Sequence, residues 1–125
     1  MSSLLLDTHI LLWWLSGHPR LDMPTQKLIA SSEAVVSAAS VWETAIKFKL
    51  GKLSVSPDEL LHLTRNSGMR MLPVYAEHAA TTAKLPAFHN DPFDRLLIAQ
   101  AKHEGLQLLT ADRLLAAYGD PVRLV

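Results

Sequence analysis

Short, nearly unbroken apolar runs alternate along the chain with longer segments whose apolar positions recur at helical spacing. Leu4-Leu5-Leu6, Ala34-Val35-Val36 and Leu106 to Leu109 are runs of the first kind, suited to strands covered on both faces. Each hands over to a helix signal. Asp7-Thr8 opens a helix through Leu15 that Gly17 closes; Ser37 or Ser40 caps one that reaches Leu50, with Gly51 as its left-handed terminus; Asp112 begins a short one ending at Tyr118. Further helices are predicted from Pro24 to Ala30, from Ser56-Pro57-Asp58-Glu59 to about Ser67-Gly68, and from Tyr75 to Lys84. Met69 to Val74 reads as an edge strand, because Pro73 cannot donate to a ladder, and Val122 to Val125 as a last strand. The alternation predicts one α/β domain over residues 1–125, with a mostly parallel sheet covered on both faces.

The best specified helix start lies in Asn90-Asp91-Pro92-Phe93-Asp94-Arg95-Leu96-Leu97-Ile98-Ala99. Asp91 reads as the N-cap, Pro92 as N1 and Asp94 as N3, and the helix runs to about Glu104 before Gly105. Capping and the helix dipole explain such acids by themselves. Two others, Asp7 and Asp112, follow strand-like runs and also stand at helix entrances. In parallel sheets functional groups collect beyond the carboxyl ends of the strands, so Asp7, Asp94 and Asp112 can meet there. Glu43 sits inside a helix and forms an i,i+4 pair with Lys47, the pattern of a solvated face. It joins the other acids only if its helix crosses the same edge, with Trp42, Ala45, Ile46 and Phe48 among its anchors.

Composition narrows the chemistry. The 125 residues are 49% hydrophobic, enough for a core, and contain no cysteine, which excludes disulfides and thiolate metal sites and suits a cytoplasmic protein. The run Leu4 to Leu15 is interrupted by Asp7, Thr8 and His9 and lacks a basic leader, so neither a signal peptide nor a membrane span is expected. Lys plus Arg and Asp plus Glu are 12 each, which argues against a broad basic surface. The six histidines show no ligand spacing, so zinc is not expected.

Converging carboxylates repel one another unless a cation neutralises them. An oxygen-only set suits Mg²⁺ or Mn²⁺, and such a centre supports hydrolysis of a phosphodiester. Thr8 and Thr110 read as caps or as partners of a neighbouring acid or a bound phosphate. Arg95 reads as a brace for an acid, an RNA contact or a solvated residue. Lys47 and Lys49 are solvated or contact phosphate. Trp13, Trp14 and Trp42 favour packing over base stacking, and His9 and His89 adjoin the acidic motifs, where they could act in proton transfer.

Leu4-Leu5-Leu6-Asp7-Thr8-His9, Val41-Trp42-Glu43-Thr44-Ala45-Ile46-Lys47, His89 to Ala101 and Leu108-Leu109-Thr110-Ala111-Asp112 resemble, in order, the motifs of PIN-domain proteins, and most closely the VapC-like toxins of bacterial toxin–antitoxin modules. The resemblance spans essentially the whole chain. It implies a three-layer α/β/α fold, Mg²⁺- or Mn²⁺-dependent endoribonuclease activity, a homodimer, and a cognate antitoxin whose tail occupies the active-site groove. It places the family acids on Asp7, Glu43, Asp94 and Asp112. Within the third motif Asp94 is chosen because it directly precedes the apolar run, leaving Asp91 as cap or outer partner. Two other readings stay open on the residues alone: a Mg²⁺-binding phosphorylation switch, which would call for a lysine after a late strand, and an interaction domain whose acids are all caps.

Overall fold

The structure, a computed structural model, describes residues 3–125. Five strands, β1 (Ser3–Leu6), β2 (Glu33–Ser37), β3 (Arg70–Leu72), β4 (Gln107–Thr110) and β5 (Val122–Leu124), form one sheet in the order β3-β2-β1-β4-β5. Every neighbouring pair is parallel. Six α-helices connect them: α1 (Thr8–Ser16), α2 (Met23–Ala30), α3 (Ala38–Lys49), α4 (Pro57–Asn66), α5 (Ala76–Thr81) and α6 (Pro92–Glu104). The segments Thr82–Lys84 and Arg113–Tyr118 are 3₁₀ turns, so the two stretches read as plain helices from the sequence tighten where they are short.

Strand side chains alternate between the two faces, and the runs of leucine and valine divide accordingly. Leu5, Val35 and Leu108 pack with Leu97, Ile98 and Ala101 of α6 on one face. Leu4, Leu6, Val36 and Leu109 pack with Ile10 and Leu11 of α1, Ile29 of α2 and Leu60 of α4 on the other. Both faces are therefore dry, which is why these strands carry no polar alternation.

The chain moves from β1 outward to β2 and β3, then returns through α5 and α6 to place β4 on the other side of β1. The direction of winding reverses between β1 and β4. At such a switch point the following helices diverge and leave a crevice at the carboxyl ends of the strands. Asp7 follows β1 directly, its N–H bonded to the Leu109 carbonyl at 3.1 Å, and Thr110 ends β4.

Ser37, not Ser40, caps α3, its hydroxyl accepting the Ala39 N–H. Gly17 and Gly105 end α1 and α6 at φ of 65° and 69°, the left-handed region where a side chain is disfavoured. His78 is fully buried in α5; its Nδ1 accepts the Tyr75 N–H, and its Nε2 lies 2.9 Å from Glu104 Oε2 at the end of α6. Among the described residues no helix is long and apolar enough to cross a membrane.

Candidate active site

Asp7 caps α1 with one oxygen and keeps the other for a partner across the sheet. Its Oδ1 accepts the Ile10 N–H at 2.8 Å, and its Oδ2 accepts the Thr110 hydroxyl. Thr110 in turn accepts the Asp112 N–H at 3.1 Å, so one hydroxyl ties the ends of β1 and β4 and orients the turn that carries Asp112. Asp112 Oδ1 caps the following 3₁₀ turn at Leu114. Capping and clustering are thus not alternatives for these acids.

Glu43 reaches the same crevice from α3. It is only 5% exposed, although it does pair with Lys47 at 2.7 Å as the i,i+4 spacing predicts. The expected solvated pair is corrected by the second oxygen: Thr8 donates to Glu43 Oε1 at 2.6 Å and lies 3.0 Å from the Ser40 hydroxyl. Thr8 therefore serves neither as the cap of α1 nor as a partner of Asp7. The anchoring expected of α3 is also corrected. Trp42, Ile46 and Phe48 are exposed, whereas Ala39, Ser40, Glu43 and Thr44 form the buried face. A small, polar helix face lets α3 approach α1 closely enough for Thr8 to bond Glu43. Trp42 meets Phe93 edge to face at 5.2 Å and links α3 to the start of α6.

Asp91 caps α6, accepting the Phe93 and Asp94 N–H groups at 2.8 and 3.1 Å. Asp94, one turn in, makes no cap and faces the crevice. Burial pushes its carboxyl up to about 6, the charges of Asp91, Asp7 and Glu43 push the same way, and the His89 ring, 2.9 Å from its Oδ2, partly offsets them. Burial likewise raises Asp7 above the ordinary carboxylate range, against the bonds from Thr110 and Ile10, with Glu43 adding repulsion. One donor atom each from His89, Asp94 and Asp112 lies within 4.8 Å of the others. Asp7 and Asp112 line one cavity of about 240 Å³ with His9, Trp13, Arg20 and Ala111. The structure thus brings Asp7, Glu43, Asp94 and Asp112 to one end of the sheet, with Thr8 and Thr110 bonded to the first two and Asp91 at the rim.

Arg95 needs correcting. Its guanidinium neither braces an acid nor faces solvent. It donates to the Thr82, Leu85, Pro86 and His89 carbonyls and to the Tyr118 hydroxyl, closing the loop before α6. Arginine follows Asp94 by one position, which on a helix turns it about a quarter circle away. The contact of His89 with Asp94 is what sequence spacing missed. The two meet across a loop, where no helical period relates them.

The donor set is carboxylate with one imidazole, crowded enough to hold raised pKa values, and such a set accepts a hard or borderline divalent cation.

The profile of the PIN domain family matches residues 4–121. The chain is 33% identical over 132 residues to Ribonuclease VapC22 of Mycobacterium tuberculosis, with 97% of this chain and 95% of that one covered. Its fold superposes on VapBC2 from Rickettsia felis, solved bound to a DNA fragment from its promoter, with a TM-score of 0.70 at 15% identity over 98% and 97% of the two chains. A toxin–antitoxin complex from Klebsiella pneumoniae gives a TM-score of 0.68 at 18% identity over 95% and 94%. With the profile running from the first strand through the turn that follows Asp112, and acids gathered where the sheet reverses its winding, the chain belongs to the PIN domain family.

Proposed function

We propose that this protein is a divalent-metal-dependent endoribonuclease and the toxin of a toxin–antitoxin pair. The observation that carries the reading is the meeting of Asp7, Glu43, Asp94 and Asp112 at the switch point, with the Asp94 carboxyl raised to about 6 by burial and by its acidic neighbours. Capping accounts for Asp7, Asp91 and Asp112. It does not account for Asp94, or for burying Glu43.

Asp7, Asp94 and Asp112 would hold Mg²⁺ or Mn²⁺, with Glu43 completing the acidic wall directly or through water and His89 setting the Asp94 carboxylate. When bound, the ion makes a water more acidic and offsets negative charge at the phosphate. The chain supplies the rest. Thr110 and the Ile10 N–H fix the Asp7 oxygens, Thr8 and Lys47 fix those of Glu43, and the turn from Thr110 fixes Asp112, so the pocket needs little rearrangement as charge develops. Water attacks phosphorus and the P–O3′ bond breaks, leaving a 5′-phosphate and a 3′-hydroxyl.

The relative's name, Ribonuclease VapC22, supports RNA as substrate, and the toxin–antitoxin neighbour supports an antitoxin partner; its tail would cover the acidic groove. A homodimer is supported by the stripe Trp42 and Ile46 of α3 with Leu50 at its C-cap, which are 62%, 37% and 63% exposed. The test is cleavage of cellular RNA by the purified protein with and without EDTA, followed by mapping of the new ends. Metal-dependent cuts with 5′-phosphates are expected; 2′,3′-cyclic phosphates would rule out the attack by water.

A further inference from the structure

A phosphate chain entering a cavity walled by Asp7 and Asp112 meets like charge, and the molecule has no net positive charge to draw it in. A side-chain cation at the cavity would offset that repulsion beside the divalent ion and away from the cut phosphate. Two obvious candidates are already committed. Lys47 is paired with Glu43 at 2.7 Å, and Arg95 is spent on four backbone carbonyls and the Tyr118 hydroxyl.

Arg20 is the cationic side chain that lines this cavity beside the two acids, and among the described residues it makes no ion pair. It is exposed, and its guanidinium carbon lies 5.8 Å from the centre of the Trp13 ring. Trp13 itself is held by stacking on His18 at 5.5 Å and by packing of its body against the core beneath α1. The His9 ring stands 6.2 Å from Trp13 and lines the same cavity. A guanidinium set on an aromatic ring keeps its planar fork of donors and loses little freedom on binding, which is the arrangement suited to two oxygens of a phosphate.

We propose that Arg20, positioned by Trp13 and assisted by the His9 ring, binds the RNA phosphate next to the one that is cut. This subsite rests on the endoribonuclease reading above. It makes the entry turn after α1 a determinant of substrate affinity, and it leaves the acids to the chemistry.

The test combines kinetics and binding on wild type, Arg20→Ala, Arg20→Lys and His9→Ala, using a fluorescein-labelled single-stranded RNA. Cleavage is measured in Mg²⁺ over a range of KCl, and binding by anisotropy in an Asp94→Asn background. For Arg20→Ala we expect KM to rise about tenfold with kcat changed less than threefold, and the slope of log(kcat/KM) against log[KCl] to flatten by about 0.7, the signature of one lost single-strand phosphate contact. Arg20→Lys should keep the slope and recover part of the affinity, and His9→Ala should raise KM less. The slope separates this role from a purely structural one, which would lower activity without changing salt dependence. Cleaving wild type with Arg20→Ala unchanged in KM and slope would overturn the subsite alone. RNA bound but never cut, with Arg20→Ala still flattening the slope of binding, would keep the subsite and remove the hydrolysis. RNA neither bound nor cut would overturn both.

Discussion

Asp94 stands at the crevice with its carboxyl 2.9 Å from the His89 ring. Its position at N3 of a capped helix is visible in Asp91-Pro92-Phe93-Asp94, but that pattern is equally that of an ordinary helix start. What distinguishes it is burial beside Asp91, Asp7 and Glu43, which lifts its pKa from 3.8 to about 6. The folded state then holds this proton more tightly than the unfolded chain. Asp94 therefore contributes most to stability below pH 3.8, and that contribution is lost as pH rises through about 6. In EDTA, the urea midpoint of wild type should rise on acidification from pH 7 to pH 4 relative to that of Asp94→Asn, and parallel curves would contradict the crowding. A second prediction concerns Thr110, whose hydroxyl serves both Asp7 and the Asp112 N–H. Thr110→Val leaves the buried second oxygen of Asp7 and the half-buried Asp112 N–H without this partner, and should cost about 1–3 kcal/mol in urea unfolding and lower cleavage. Glu43 was misleading from sequence for a physical reason. The pair with Lys47 forms as its spacing predicts, yet spacing carries no information about the Thr8 hydroxyl on another helix that draws the other oxygen inside.

At the scale of elements, the capping residues were readable because each acts on backbone within a few positions. Asp7, Ser56 and Asp91 accept N–H groups at the helix starts expected of them, and of the two serines offered for α3 it is Ser37 that does so. The edge placement of β3 and the alternation of strand and helix were readable for the same local reasons. The packing of α3 was not, because the sequence offers Trp42, Ile46 and Phe48 as anchors and the fold uses its small polar face instead. Nor was the brace at Arg95, whose partners lie 6 to 23 positions away in a loop without periodicity. That brace holds the segment carrying His89, and hence the ring beside Asp94. Arg95→Lys keeps the charge but cannot present a planar fork to several carbonyls. It should lower stability by about 2 kcal/mol and reduce kcat, with protection of the loop amides from hydrogen exchange falling in step. Unchanged exchange between residues 82 and 90 would show that the loop does not need the guanidinium.

Across the whole molecule, winding order does what no single motif can. Placing β4 beside β1 brings residues 103 positions apart, Asp7 and Thr110, into one hydrogen bond and opens the crevice where the ends of β1 and β4 and the helices α3 and α6 present their acids. The same helix that delivers Glu43 inward turns Trp42 and Ile46 outward, with Leu50 at its C-cap, so one element serves the pocket and an apolar face. If that face joins two copies, Trp42→Asp should shift sedimentation from dimer to monomer while leaving Mn²⁺ binding intact; a wild-type monomer at micromolar concentration would contradict the pairing. On the reading proposed above, the gathered carboxylates hold a divalent ion. The decisive measurement is calorimetric titration of the purified protein with Mn²⁺, alongside an Asp7→Asn, Asp94→Asn double variant of confirmed fold. Saturable binding by wild type and none by the variant is the result predicted, and equal heats from both would contradict it.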